Sequence, residues 1–389
     1  MTALPGHGGS GYGRTVPAVP VPAVPAVPVP AVPVPAVPVP ASPVPASPVP
    51  VVAALDLPLA RARHDRAAER RDRAGLLPSL YADAATRVLL VHGDRLSVAD
   101  AGGRARLAWR GPAGLPAPAD PAPTPPPRPD AADDPADVAR DTPREQEPPL
   151  WLYLGEHDGV AYVALALPQT DAALATLDVV PGWATLRDLD HLDDLEQGLA
   201  TEAVALANWH AVHAFCPRCG APAQVRAAGW VRWCPVEDRE LYPRTDPAVI
   251  MAVVDDDERL LLGHAAHWPA HRFSTLAGFV EPGESLEQAV RREVAEEVGL
   301  SVCDGRDDVV YRGSQAWPFP ASLMLGFRAR VAGTAADPAP DGVELTQARW
   351  FTRAELSERV RTGEVVLPTR LSIARALIEE WFGASLPGA

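Results

Sequence analysis

The stretch GESLEQAVRREVAEEVGL, residues 283–300, places three carboxylates within about one and a half turns of a helix. A capping box begins this helix, because Ser285 is followed three residues later by Gln288. Gly299 suits the left-handed position just beyond its end. Apolar residues four apart predict which side of the helix is buried. They are Leu286, Val290, Val294 and Val298.

The three glutamates do not all face away from this apolar side. At about 100° per residue, Glu297 lies roughly 40° from the apolar direction, Glu293 roughly 80° and Glu296 roughly 140°. A solvated acidic face would place all three opposite the core, so two of them are expected to be partly buried. Buried carboxylates need a partner, and Arg292 alone cannot neutralise three. A hard divalent cation held by carboxylate oxygens can, so the helix is predicted to hold a metal ion.

The segment also resembles a known motif. From Gly278 through Glu284 to Leu300 it reproduces the complete Nudix box, G-x5-E-x7-R-E-U-x-E-E-x-G-U. The resemblance implies an α/β/α sandwich with a mixed sheet, and hydrolysis of a nucleoside diphosphate linked to another moiety. Mg²⁺ or Mn²⁺ would disperse charge on the phosphoryl oxygens and activate water.

The Nudix resemblance also assigns roles to individual residues. It names as catalytic or metal-binding Arg292, Glu293, Glu296 and Glu297, with Glu344 and the backbone carbonyl of Ala277 as further metal ligands. Glu296 is either an additional ligand or the base that deprotonates water. Arg292 is expected to orient the glutamates, and Gly278 and Gly283 are expected to let the loop bend tightly.

A second motif concerns the substrate. SQAWPFPAS, residues 314–322, closely resembles the SQPWPFPxS array of the NADH pyrophosphatase subfamily, with Ala316 where proline is usual. Members of this subfamily split NAD(H) into NMN(H) and AMP and can remove NAD caps from RNA. The resemblance implies substrate contacts from Tyr242, Phe279, Gln315, Trp317, Phe319, Ser322 and Ala374. For Trp317 and Phe319, core packing is the alternative role.

Three cysteines have the spacing of an incomplete zinc ribbon. They are Cys216, Cys219 and Cys234. The subfamily's fourth cysteine would be residue 237, which is Glu237 here. Structural zinc sites are almost always four-coordinate, so bound Zn²⁺ would need an oxygen from Glu237 or Asp238. The alternative is a ribbon held by aromatic packing alone, from Phe215, Trp230 and Trp233.

Composition and the family resemblance together predict four regions in this α/β chain. Residues 1–52 repeat valine and proline and are expected to be a disordered, polyproline-like tail. Residues 53–200 form an N-terminal α/β domain with a disordered, proline-rich and acidic insertion at 111–149. Residues 201–244 comprise a helix and the ribbon, and 245–385 the Nudix domain.

The formal net charge of −15 argues against gross electrostatic capture of nucleic acid or of an anionic membrane. The ribbon is nevertheless locally basic. Its arginines, which either contact RNA or are balanced by nearby acids, are Arg218, Arg226, Arg232, Arg239 and Arg244. No stretch reaches the roughly 18 apolar residues of a membrane span, and no signal peptide is evident, so a cytoplasmic location is expected.

These observations predict a NAD(H) diphosphatase. The resemblance implies a homodimer, because the family builds its pocket partly across the subunit interface. One alternative is a Nudix hydrolase that acts on ADP-ribose or a nucleoside triphosphate. Another is a non-catalytic nucleotide sensor or nucleic-acid-binding module, although such a protein would be expected to have lost glutamates of the box. Contacts from the N-terminal domain, among Arg61, Arg66 and Arg70, cannot be assigned from the sequence.

Overall fold

A computed structural model describes residues 53–118, 148–170, 174, 182–305, 307–333 and 337–387. The predicted tail, residues 1–52, and the central part of the predicted insertion, residues 119–147, lie outside the described residues. None of the helices in the described ranges has the length and apolar content needed to cross a bilayer.

The N-terminal domain is built on one mixed sheet. Its elements are α1 Leu76–Ala82, β1 Arg87–His92, β2 Arg95–Asp100, β3 Ala105–Leu107, β4 Leu150–His157, β5 Val160–Leu167, β6 Gly182–Thr185 and α2 Asp194–Val212. The strand order is β3-β2-β1-β5-β4, with β6 beside β2, and β1 and β5 run parallel. Asp158 and Gly159 turn the predicted β4–β5 hairpin, both with positive φ.

Helix α2 covers one face of this sheet. Its apolar residues Leu199, Ala203 and Leu206 pack against strand residues that include Leu89 and Leu152. The domain boundary predicted between residues 200 and 201 therefore falls inside a continuous helix, and that prediction is wrong. The helix packs on the N-terminal sheet as far as Ala207, and His210 near its end contacts the ribbon.

The predicted insertion is also too long at its start. Leu115 is buried against the sheet, the Tyr81 hydroxyl donates to the Leu115 carbonyl, and the Trp151 indole donates to the Pro116 carbonyl. Proline content suggested an unstructured segment from residue 111, whereas these tertiary contacts order residues 111–118.

The ribbon is a three-stranded antiparallel sheet. It consists of β7 Gln224–Arg226, β8 Val231–Cys234 and β9 Arg239–Leu241. The Trp230 indole donates to the Tyr153 carbonyl, and the carbonyl of Gly229 hydrogen-bonds to His210 on α2. These contacts hold the ribbon against the N-terminal domain.

The C-terminal domain contains a second mixed sheet. Its elements are β10 Asp246–Val254, β11 Leu260–Ala265, β12 Leu276–Phe279, α3 Leu286–Val298, β13 Val309–Trp317, β14 Ser322–Arg330, β15 Leu345–Phe351, α4 Arg353–Thr362 and α5 Ile373–Phe382. The order is β13-β14-β10-β11-β15, β12 also pairs with β10, and only β10–β14 is parallel.

Alternation along β10 explains the layers of this domain. Val249, Met251 and Val253 face α3, whereas Ala248, Ile250 and neighbouring residues face α5. Helices pack on both faces of a mixed sheet, α3 on one and α4 and α5 on the other, which confirms the predicted α/β/α sandwich.

Candidate active site

Helix α3 begins and ends where the sequence predicts. The Ser285 side chain accepts a hydrogen bond from the backbone amide of Gln288, and the Gln288 side chain accepts one from the backbone amide of Ser285. Gly299 has φ 69° at the helix end. Glu293 and Glu297 are buried, with 9% and 6% of their surface exposed, and Glu296 is exposed. The helical angles therefore ranked the burial of the three carboxylates correctly.

Arg292 connects the acidic residues to the loop that precedes the helix. Its Nε and Nη2 donate to the two oxygens of Glu284, each at 2.9 Å, and Nη1 donates to Glu293 at 2.8 Å and to Glu296 at 2.9 Å. Nη2 also donates to the Phe279 carbonyl. These hydrogen bonds, that to Glu284 foremost, raise the pKa of Arg292 and lower that of Glu284. Arg292 thus fixes the rotamers of the carboxylates around it.

Gly278 lets β12 approach the helix. A Cβ at this position would occupy the place of the Glu293 carboxyl group. Gly278 has no positive φ, so what requires glycine is close approach rather than backbone conformation. Gly283, with φ 90°, supplies the bend in the loop before the helix.

No arginine or histidine of the described residues pairs with Glu297. Its Oε2 is buried and has no hydrogen-bond partner among the described residues. Burial, followed by the charges of Glu293, Glu344 and Asp341, raises the pKa of Glu297 to about 8. Burial likewise raises the pKa of Glu293, although Arg292 opposes it. A buried carboxylate that has one oxygen without a hydrogen-bond partner and lies among other acids is an arrangement that a divalent cation fits.

The loop before β15 supplies two further acids. Asp341 accepts hydrogen bonds from the amides of Val343, Glu344 and Leu345, which lower the Asp341 pKa and fix the loop. Glu344 is exposed and lies near enough to affect both buried glutamates. The sequence did not single out Asp341, although its place three residues before Glu344 was a signal.

Two adjoining cavities lie beside these acids. The first, about 360 Å³, is lined by Ala277, Glu297 and Glu344, among others. The second, about 380 Å³, has no carboxylate in its lining and includes Trp317 and Ala374. Ala277, Thr275 and Trp268 line both cavities. Some of the residues predicted to bind metal or nucleotide thus line two adjacent cavities.

The other predicted substrate residues have different surroundings. Gln315 is buried and its Nε2 donates to the Leu371 carbonyl, which supports the loop before α5. A substrate contact from Gln315 stays a prediction. Phe319 packs edge-to-face on Trp317 and reaches the N-terminal core. Ser322 pairs with Trp317 at the start of β14.

Phe279 and Tyr242 both present their rings to solvent. Phe279 follows the box glycine and is 60% exposed. Tyr242 is 64% exposed, and its hydroxyl donates to Glu240. Tyr242 does not line either of the two cavities described above.

The three ribbon cysteines converge as their spacing predicts. Their sulfur atoms all lie within 4.8 Å of one another. Glu237 instead pairs with Arg218 at 3.2 Å, and Asp238 accepts from the Trp233 indole. A set of three thiolates fits zinc chemistry, but neither predicted oxygen belongs to the cluster. Phe215 is exposed, so the proposed aromatic core of the ribbon is not formed as expected; the cysteines pack on Ala221.

Most of the arginines of the ribbon have a partner within the protein. Arg232 is buried, and its Nε donates to Nδ1 of His210 at 3.0 Å. Arg218 and Arg244 pair with acids, and Arg226 stacks on Trp233. These contacts favour the interpretation that nearby groups balance the arginines, rather than the interpretation that the arginines contact RNA.

Comparison with known families matches two regions of the chain. Residues 244–368 match the NUDIX domain, and residues 212–242 match the NADH pyrophosphatase zinc ribbon domain. With the sandwich, the box and the carboxylate cluster, these matches define a Nudix hydrolase.

Similar proteins narrow this class further. The NAD-capped RNA hydrolase NudC of Mycobacterium tuberculosis H37Rv is 41% identical over 246 residues, which cover 61% of this chain and 77% of that protein. NudC of Stutzerimonas stutzeri is 42% identical over 55% of this chain and 74% of that protein. NAD-capped RNA hydrolase NUDT12 of Macaca fascicularis is 39% identical over 49% of this chain and 42% of that protein. The chain belongs to the NudC family of Nudix hydrolases.

Proposed function

We propose that this protein hydrolyses the diphosphate of NAD(H) to NMN(H) and AMP, and that it acts in the same way on NAD-capped RNA. The observation that carries the proposal is Glu297, a buried carboxylate whose Oε2 has no hydrogen-bond partner among the described residues, placed among other acids beside a cavity lined by Trp317 and Ala374. The activity for which the relatives are named, hydrolysis of NAD-capped RNA, supports the same reaction.

The residues that would hold Mg²⁺ or Mn²⁺ are Glu293, Glu297 and Glu344, with the backbone carbonyl of Ala277 and, as one of two alternatives, Glu296. When bound, the metal ion supplies charge stabilisation at the phosphoryl oxygens and lowers the pKa of water. The remaining contributions belong to the chain. Arg292 holds Glu293 and Glu296 in place, and Gly278 leaves room for the Glu293 carboxyl group.

Hydrolysis requires one proton acceptor. The oxygen of water forms a bond to one phosphorus, the bridging P–O bond breaks, and the bridging oxygen leaves on the other nucleotide as phosphate. The proton of the attacking water passes to a carboxylate. Glu296 is exposed and within reach of solvent, so it serves either as this acceptor or as an additional ligand.

Two aromatic residues and Ala374 form the surface that binds the nucleotide. Phe279 offers an exposed ring beside the box loop, and Trp317 and Ala374 line the neighbouring cavity. We further propose a homodimer, in which the exposed ring of Tyr242 contacts substrate bound to the partner subunit.

A side-by-side rate comparison tests the proposed function. Purified full-length protein with Mn²⁺ is incubated with NADH, NAD⁺, ADP-ribose and an NAD-capped RNA, and products are separated by chromatography. NADH is expected to yield NMNH and AMP in equal amounts. Intact NADH with cleaved ADP-ribose would overturn the proposal in favour of a different Nudix specificity.

We also propose that the three ribbon cysteines hold Zn²⁺ with an incomplete protein ligand set. Their sulfur atoms are close enough to share one ion, but Glu237 is engaged with Arg218. Metal analysis of the purified protein tests this, and less than one zinc per chain after dialysis is the expected result.

A further inference from the structure

A buried hydroxyl group lies on the wall that the two cavities share. Thr275 is 6% exposed, lines both cavities, and its Oγ1 has no hydrogen-bond partner among the described residues. Burying a hydroxyl group without a hydrogen bond costs free energy, and valine has nearly the same shape without that cost. The hydroxyl of Thr275 therefore needs a partner, and the two cavities are the space from which a partner can come.

The backbone on both sides of Thr275 is held by the sheet. Ser274 and Gly263 exchange two backbone hydrogen bonds, of 2.8 and 2.9 Å. Leu276, the first residue of β12, pairs with Met251 of β10 and is buried on the side of α3. Ala277, one residue further, lines the same two cavities as Thr275. Thr275 is thus fixed about 7 Å along the strand from Ala277, whose carbonyl is a predicted metal ligand.

Other buried threonines show what distinguishes Thr275. The Thr201 hydroxyl donates to the Gln197 carbonyl of its own helix. Thr86 is fully buried and its Oγ1 also has no hydrogen-bond partner among the described residues, but Thr86 lines neither of the two cavities. A hydroxyl without a partner is therefore not by itself a binding site. What singles out Thr275 is its place between the cavity with the carboxylates and the cavity with Trp317.

The two cavities differ in the part of a dinucleotide that each suits. Glu297 and Glu344 line the first, and Trp317 lines the second. A ligand with its diphosphate at the carboxylate-held metal and a nucleoside beside Trp317 passes the wall where Thr275 lies. A neutral hydroxyl can donate to a phosphate oxygen without adding a positive charge next to a metal ion. Rotation about the Cα–Cβ bond exchanges the places of the hydroxyl and the methyl group, so the hydroxyl can reach a ligand without movement of the backbone.

We propose that the Thr275 hydroxyl donates a hydrogen bond to a non-bridging oxygen of the substrate's diphosphate, and that it positions the diphosphate between the metal site and the nucleoside cavity. The inference rests on the proposed function, because it takes the anion to be the diphosphate of a dinucleotide. A hydrogen bond to a charged oxygen is stronger than one between neutral groups. Loss of the hydroxyl should therefore weaken ligands that contain the diphosphate and spare the nucleoside alone.

Binding measurements separate the diphosphate from the nucleoside. Wild type and variants are titrated by calorimetry, with Mg²⁺ present, with adenosine and with α,β-methylene-ADP, whose bridging carbon prevents hydrolysis between the two phosphates. Thr275→Val is expected to weaken α,β-methylene-ADP about tenfold and to leave adenosine unchanged. Thr275→Ser keeps the hydroxyl and is expected to stay within about threefold of wild type. Thr86→Val is the matched control, because it removes an equally buried hydroxyl outside both cavities, and both affinities are expected to stay unchanged.

Steady-state kinetics gives a second readout. Thr275→Val is expected to lower kcat/KM for NADH about tenfold, and Thr275→Ser is expected to recover most of it. Equal losses of α,β-methylene-ADP and adenosine affinity would show that Thr275 only shapes the cavity and would overturn the inference. Unchanged α,β-methylene-ADP affinity in Thr275→Val, a loss in Thr275→Ser as large as in Thr275→Val, or no binding of α,β-methylene-ADP by wild type would overturn it as well. If wild type fails to cleave NADH while Thr275→Val shows the diphosphate-specific loss, the phosphate contact stands and the proposed function fails.

Discussion

The protonation state of Glu297 makes a pH-dependent contribution to the stability of the metal-free protein. Burial and the neighbouring acids raise the pKa of this carboxyl group from 4.5 to about 8. The folded protein then binds the proton more tightly than the unfolded chain does. The resulting stability is complete below pH 4.5 and is lost as the pH rises towards 8. At about 1.4 kcal/mol per pH unit, ionising Glu297 costs about 3 kcal/mol at pH 7 and about 4 kcal/mol at pH 8.

Replacing Glu297 with glutamine removes this cost. In EDTA, Glu297→Gln is expected to melt roughly 5–10 °C above wild type at pH 8 and within about 2 °C of it at pH 5. In Mn²⁺ the order is expected to reverse, because only the wild type gains the full free energy of metal binding. Scanning calorimetry at pH 5, 7 and 8, with and without Mn²⁺, measures both effects.

Glu296→Gln is the control on the same helix. Glu296 is exposed and pairs with Arg292, so its removal is expected to change the free energy of unfolding by about 1 kcal/mol or less in EDTA. The reasoning is refuted if Glu297→Gln is no more stable than wild type at pH 8 in EDTA. It is also refuted if Mn²⁺ raises the melting temperature of both proteins equally.

Three further predictions concern other parts of the structure. Gly278→Ala is expected to displace the Glu293 carboxyl and to weaken Mn²⁺ binding at least tenfold by calorimetry, since a Cβ would overlap that group; unchanged affinity would contradict the close approach. Burial, then Arg232, lower the pKa of His210 to about 3, so the stability that neutral His210 provides is lost as pH falls from 6.5 towards 3. In urea titrations His210→Gln should therefore lose about 2 kcal/mol less than wild type between pH 6.5 and 5, and identical losses would refute this. Glu237→Cys is expected to complete a four-thiolate site and retain about one zinc per chain against a chelator that strips wild type, whereas equal retention would show that residue 237 does not limit zinc binding.

Local periodicity made the catalytic helix predictable. The capping residues, the apolar spacing and the order of burial of the glutamates all depend on residues within one helix, so the sequence contains them directly. The sandwich followed from strands flanked by helices together with the Nudix box.

Contacts between distant segments were not predictable in the same way. Nothing around Arg187 indicates that it meets Trp317, because the two belong to different domains and are brought together by packing. An arginine such as Arg232 is normally expected at the surface, but here it is buried and donates to His210 of α2. Gln315 lies in a motif that suggested ligand contact, and its side-chain amide donates a hydrogen bond to the Leu371 carbonyl. Each of these contacts depends on which distant segment packs against the residue, and composition and spacing do not specify that.

The dependence of NADH cleavage on Mn²⁺ tests the central claim most directly. NMNH and AMP are quantified while Mn²⁺ is titrated into metal-free wild type and metal-free Glu297→Gln. We predict saturable, EDTA-reversible cleavage by the wild type, and a rate at least a hundredfold lower for the variant at every Mn²⁺ concentration. Cleavage that persists in EDTA, or equal rates for the two proteins, would contradict a catalytic role for metal held by the buried carboxylates.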